Sequence, residues 1–178
     1  MNGRGAAWLA AGALALARGA GAQSCTAAVP AGSCTVSTST TLTAGTVMQM
    51  TLSSTTTTLT APASAGYDAG YVADNGPTVT VKSNRLWKVQ IKALAATWTA
   101  ANTEPGVSAR TNKPAADLLW STASGGPFTA LSTTVADAVT GSPSSGTTTS
   151  IFFRTNYNWT LDTPGQYSLI VVFTVINQ

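Results

Sequence analysis

The sequence predicts an all-β chain, an antiparallel β-sandwich of about seven to nine strands, and three observations predict it. Its apolar residues recur with a period of two, as they do on a half-buried strand. Gly, Pro, Asn and Asp punctuate the alternating runs at short intervals, as turns require. Charged residues make up only 8% of the chain, against roughly a quarter in average usage, and Ser and Thr take their place. Thr suits a pleated surface because its branched Cβ packs against strand neighbours while its hydroxyl keeps the outer face wet. The tracts Thr55-Thr56-Thr57-Thr58 and Thr147-Thr148-Thr149 therefore read as exposed strand or turn.

The strands follow in order. Met48, Met50 and Leu52 alternate with Val47, Gln49 and Thr51, and Thr78-Val79-Thr80-Val81-Lys82 alternates again. Ser83-Asn84-Arg85 makes a tight connection into Leu86–Ala93. There Trp87, Val89, Ile91 and Ala93 face one way and Lys88, Gln90 and Lys92 the other, a half-buried strand with a charged outer face. Residues 101–150 carry the weakest pattern, with Leu118-Leu119-Trp120 and Phe128-Thr129-Ala130-Leu131 as short strands between Gly- and Pro-containing loops. Ile151–Leu161 and Tyr167–Ile176 flank Asp162-Thr163-Pro164-Gly165, a strong turn signal, and read as the last two strands paired antiparallel. Within the last of these, from Ser168 to Ile176, both faces are apolar, so the strand is expected to have cover on both sides. A loop over a central strand is the ordinary source of that cover. A partner subunit is the sharper one, and it would sit on Ile170, Val172 and Ile176.

The N-terminus reads as a signal peptide, residues 1–22, ahead of a single β-sandwich domain, residues 23–178. Arg4 precedes the apolar run Ala6–Ala17, and Ala20-Gly21-Ala22 supplies the small-x-small triplet that precedes cleavage. The run is shorter than the ~20 residues that cross a bilayer, and no second hydrophobic helix follows, so no membrane span is expected in the mature chain. These features place the protein outside the cell, secreted or at the cell surface. Cys25 and Cys34 are the only cysteines, and an even count in an exported chain predicts one disulfide. Closing so short a loop contributes about 2–3 kcal/mol and would pin the N-terminal segment.

Composition removes most chemistry. The chain has no histidine, which excludes Ser-His-Asp and Cys-His catalysis and His-based zinc sites. Its six acidic residues, Asp68, Asp74, Glu104, Asp117, Asp137 and Asp162, sit mostly in turn-like settings, where such side chains cap backbone amides. No glycine loop for phosphate is present, so neither an enzyme nor a cofactor or metal is expected. Arg4 and Arg18 leave with the export segment, so seven basic residues face six acidic ones, and no nucleic-acid footprint remains. The oxygen-rich stretch Tyr67–Pro77 could hold calcium, but its acidic residues are too sparse for a dedicated loop, and turn chemistry is the preferred reading. Among the aromatics, Trp87 and Trp159 lie on apolar strand faces and read as core. Tyr67, Tyr71 and Trp98 are less constrained and form the candidate glycan contact, with burial as the competing role.

The run Val79-Thr80-Val81-Lys82-Ser83-Asn84-Arg85-Leu86-Trp87-Lys88-Val89-Gln90-Ile91-Lys92-Ala93 and the ending Trp159–Val175, with its Pro164-Gly165-Gln166-Tyr167 turn, resemble motifs of bacterial exported Ig-like β-sandwich proteins, including WxL-type cell-surface domains and pilus-like subunits. The resemblance implies a non-catalytic surface or matrix role and carries no binding residues with it. The sequence thus leads to an Ig-like sandwich that is structural or adhesive at the cell surface. Its partners would be copies of itself, as in a fibre or pilus, or other surface and matrix components. The alternative is a carbohydrate-binding module.

Overall fold

The computed structural model describes residues 24–26 and 33–178. The chain divides into two units, residues 1–44 and 45–178. The described residues of the first are exposed and carry no regular secondary structure. They include the expected staple, a Cys25–Cys34 disulfide with Cα atoms 5.8 Å apart. The expected export segment, residues 1–22, lies outside the described residues.

The second unit is an all-β sandwich. Its strands are β1 (Met48–Leu52), β2 (Tyr71–Ser83), β3 (Trp87–Ala93), β4 (Thr99–Ala101), β5 (Leu118–Ser121), β6 (Thr129–Ala130), β7 (Ala136–Gly141), β8 (Ser144–Asn156), β9 (Gln166–Ser168) and β10 (Val171–Asn177). A short helix α1 (Ser64–Ala69) precedes β2. Ten strands exceed the seven to nine expected, because β4, β6 and β9 are pieces of two or three residues too short to show a period. One sheet runs β1-β2-β8-β5-β6, a second β10-β3-β7, and β4 and β9 form a two-stranded ribbon. Every pairing is antiparallel. Among the described residues no helix is long and apolar enough to cross a membrane.

The core is what the period of two predicts for β3. Trp87, Val89, Ile91 and Ala93 are all buried, facing Val79, Val81, Leu118, Trp120, Ile151 and Phe153 of the larger sheet. The Ser83–Arg85 connection is tight, held by Ser83 Oγ, which accepts from the Arg85 amide and donates to the Arg85 carbonyl. It passes the chain from one sheet to the other rather than making a hairpin, so β2 and β3 stack across the core. Gly141 at the end of β7 lies flat on the Trp87 indole, where an added Cβ would collide with the ring. The indole N–H donates to the Ser142 carbonyl at 2.9 Å, so the buried polar atom is satisfied.

In β2 the stretch read as a possible calcium loop is helix and strand instead. Gly76-Pro77 lies within the strand, and the register against β8 shifts between Asn75 and Thr78. Proline has no N–H to lose from the ladder, and Gly76 leaves room for the Phe153 ring, to which a Cβ would come within 2.7 Å. The shift inverts the alternation. Tyr71, Ala73 and Asn75 are exposed before it, while Pro77, Val79 and Val81 are buried after it.

The C-terminal pairing departs most from expectation. The run Ile151–Leu161 does not pair with Tyr167–Ile176. Its strand ends at Asn156 and lies between β2 and β5. The final segment breaks at Leu169-Ile170, so that β9 pairs with β4 and β10 with β3. A turn signal specifies reversal of direction but not which neighbour the returning chain finds. β10 is accordingly not a central strand, because it lies at the edge of its sheet.

Candidate functional site

The ends of β8 and the segments around it build a polar groove of about 420 Å³, lined among others by Tyr71, Arg110, Asp117, Arg154, Asn156 and Asp162. Beneath it lies a cluster of ions. Lys113 is fully buried, and its ammonium donates to Asp162 Oδ1 at 2.9 Å, to Asp117 Oδ2 at 3.3 Å and to the Asn156 carbonyl at 2.9 Å. The Tyr157 ring lies 5.0 Å from the same ammonium, which completes its coordination with a π face. Arg110 donates to Asp162 Oδ1 at 3.0 Å and stands 3.5 Å from Asp117.

The loop after β8 shapes itself around Asp162. Its Oδ2 accepts from the Asn158 amide at 2.8 Å, and its own amide donates to the Asn158 carbonyl. Asn158 in turn accepts from the amide and hydroxyl of Thr160, an Asx-type turn. Burial pushes the Asp162 carboxyl up, but the hydrogen bonds from Lys113, the Asn158 amide and Arg110 outweigh it and hold the group below its ordinary range. Burial, together with the carboxylates of Asp74 and Asp162 and the neighbouring Tyr67, pushes the Tyr157 phenol up to about 12. Tyr67 is raised too, by burial first and then by Asp162. Both phenols are therefore neutral at physiological pH and act as hydrogen-bonding and stacking groups, not as bases.

Two aromatic arrangements lie on the segments that form the groove. Trp159 stacks on Tyr67 with centroids 4.5 Å apart and an interplanar angle of 24°, and its indole N–H donates to Asp68 Oδ1 at 3.0 Å. These contacts fix the plane of a ring that remains 58% exposed. On the outer face of the large sheet, the Arg154 guanidinium meets two rings, 4.5 Å from the centroid of Tyr71 and 5.3 Å from that of Phe128. The bulge in β2 makes this possible, because it turns Tyr71 outward onto the face that carries Arg154 and Asn156.

The expected site residues fall in different places. Trp98 is buried at 6% exposure, its N–H donated to the Pro114 carbonyl, so it is closed to a surface ligand. Tyr67 is half-covered by Trp159, and Tyr71 is exposed beside Arg154. The three rings do not form one platform. Trp159, expected in the core, is the exposed ring instead, because the strand that was to bury it has ended three residues earlier. Ile170 is 62% exposed, and Val172 and Ile176 are half-buried on the outer face of β10, opposite Lys92 and Lys88. Val171, Phe173 and Val175 pack on the core. Nothing in the sequence marks Lys113 or Arg154, and Asp162 reads there only as a turn residue; the pairing of distant segments brings them together.

The free edge of β10 is the second feature of interest. The Ile170 carbonyl accepts from the Leu94 amide and the Gln178 amide donates to the Leu86 carbonyl. Even-numbered residues therefore bond to β3, and Val171, Phe173, Val175 and Asn177 turn their N–H and C=O groups to the other edge. Among the described residues no strand pairs with that edge. No group of three or more potential metal-ligating side chains occurs among the described residues. No protein-family profile matches the chain, and no curated protein is detectably similar to it.

Proposed function

We propose that this protein is an exported, non-catalytic structural or adhesive component of the cell surface that assembles with copies of itself by strand addition at β10. The observation that carries the reading is the edge of β10: a seven-residue strand with unpaired backbone groups, Val172 and Ile176 on its outer face and the exposed Ile170 just before it. Exposed edges are ordinarily blunted by charge, proline or a covering segment, because they template pairing with another chain. Here the strand itself offers only Thr174 and Asn177 as polar residues. An added strand would satisfy the backbone groups, and the apolar outer side chains would gain cover. The signal-like N-terminus, the disulfide, the absence of histidine and the resemblance to pilus-like subunits favour the same reading.

The test is size-exclusion chromatography with light scattering on the oxidised exported chain, with electron microscopy of the same sample. Ordered assemblies are expected, and Val172→Lys with Ile176→Lys should return them to monomers without altering the circular dichroism spectrum. A monomer at every accessible concentration would overturn self-assembly.

Carbohydrate binding is a second reading, supported by a different ring from those expected. Trp159 presents a rigid, open indole in the loop whose Asn158 and Leu161 line the polar groove, and sugar rings stack on such exposed aromatic faces.

A further inference from the structure

We infer that the groove at the end of β8 binds an acidic saccharide, with Arg154 as the anchor for the sugar carboxylate; this rests on the carbohydrate-binding reading. The case begins with charge. Beneath the groove Lys113 and Arg110 are matched by Asp117 and Asp162, two cations against two carboxylates. Arg154 stands outside these pairs. It takes part in none of the ion pairs or side-chain hydrogen bonds among the described residues, and its Nε is buried without a hydrogen-bond partner. Asp68, Asp74 and Glu104 form no ion pair among the described residues either, so none of them neutralises Arg154 by direct contact.

An arginine without a counter-ion ordinarily swings into water. This one is held against the rings of Tyr71 and Phe128 while lining the groove. Contacts with ring faces leave the in-plane N–H groups of a guanidinium to donate to a carboxylate. A single guanidinium suits a monoanion better than a phosphate dianion, and the near-neutral domain has no basic field for a polyanion such as nucleic acid. The amides of Asn156 and Asn158 also line the groove, and Trp159 from the same loop supplies an aromatic face. Carboxylate anchor, amide groups and stacking ring are together the recognition chemistry of a uronic-type sugar.

The experiment is calorimetric titration of the folded chain with trigalacturonate, with its methyl ester, with the neutral trigalactose, with inorganic phosphate and with a short peptide bearing a free C-terminal carboxylate. Trigalacturonate is expected to bind, and both esterification and Arg154→Gln should weaken it by about tenfold or more, the loss of a charge-assisted hydrogen-bond pair. The ester comparison uses the unaltered protein, so it holds even if Arg154→Gln folds poorly. Equal binding of acid, ester and neutral sugar would remove Arg154 as anchor while leaving carbohydrate binding in place. Absence of binding to any saccharide would overturn both. Phosphate or the peptide binding as tightly as the uronate, and losing it in Arg154→Gln, would make this a general anion site and overturn the sugar assignment.

Discussion

Two lysine–aspartate pairs in this domain have nearly the same length and almost nothing else in common. Lys88 and Asp137 meet at 2.8 Å across β3 and β7, with side chains 26% and 49% exposed. Lys113 and Asp162 meet at 2.9 Å beneath the groove, with side chains 2% and 4% exposed. Water screens the first pair and competes for both partners, so its contribution to stability is small. The second pair has no water to fall back on. Its charges are tolerable only because every partner is in place: Asp117, the Asn156 carbonyl, Arg110, the Asn158 amide and the Tyr157 ring. Distance describes the two pairs equally well, and burial decides what each is worth.

The largest effect is expected from breaking the buried pair on one side. Lys113→Met keeps the length of the side chain but leaves Arg110 as the one cation against Asp162 and Asp117 and strands the Asn156 carbonyl. A loss of about 3–5 kcal/mol in urea unfolding at pH 7 is expected, the usual consequence of an uncompensated buried charge. A loss below about 1 kcal/mol would mean that the cluster is hydrated and behaves like the surface pair.

The two regions also differ in how far the sequence discloses them. The face carrying Lys88 could be read directly, because alternation in Trp87–Ala93 assigns each residue to a side and the buried set matches. The groove could not. Lys113, Asp117 and Asp162 come from segments without a period, and the bulge at Gly76-Pro77 that aims Tyr71 at Arg154 looks like a turn until β8 is known to run alongside it. Trp159 was misplaced for a related reason. Continuing the apolar alternation past Asn156 assumed a longer strand, whereas Asn158 and Asp162 divert the backbone into a self-bonded loop. Likewise β7 carries little strand signal in the sequence, because Ala136-Asp137-Ala138-Val139 turns mostly small, half-buried side chains to the core.

An intermediate effect follows from acid. Because Asp162 in the folded protein is held below its ordinary value of 3.8, the folded state binds its proton less readily than the unfolded state does. Its stabilisation is therefore fully present at neutral pH. It is lost as pH falls through the ordinary carboxylate value and down past the lowered folded one. Stability should decline over that range more steeply in the wild type than in Asp162→Asn, with the two curves furthest apart at pH 7 and converging in acid. Exposed Asp137, also lowered, first by its hydrogen bond from Lys88 and then by that from Gln90, is common to both proteins and drops out of the difference. Parallel curves in urea titrations from pH 7 to pH 2.5 would show that Asp162 carries no more linkage than an ordinary surface carboxylate.

The smallest effect belongs to the exposed pair, and it separates folding from association. Lys88→Met should leave the unfolding midpoint at physiological salt within the scatter of the wild type, since Gln90 still donates to Asp137 at 2.7 Å and water replaces the ammonium. A clear loss of stability would contradict the reading of this pair as screened. Lys88, however, stands opposite Ile176 in the register of β3 and β10, next to the edge proposed for assembly. Charge beside an apolar edge resists unplanned pairing. With Lys88 removed, the outer face gains a methionine beside Ile176, and assembly is expected at lower protein concentration by light scattering. Assembly unchanged in Lys88→Met, with folding also unchanged, would move the self-association surface away from this side of β10.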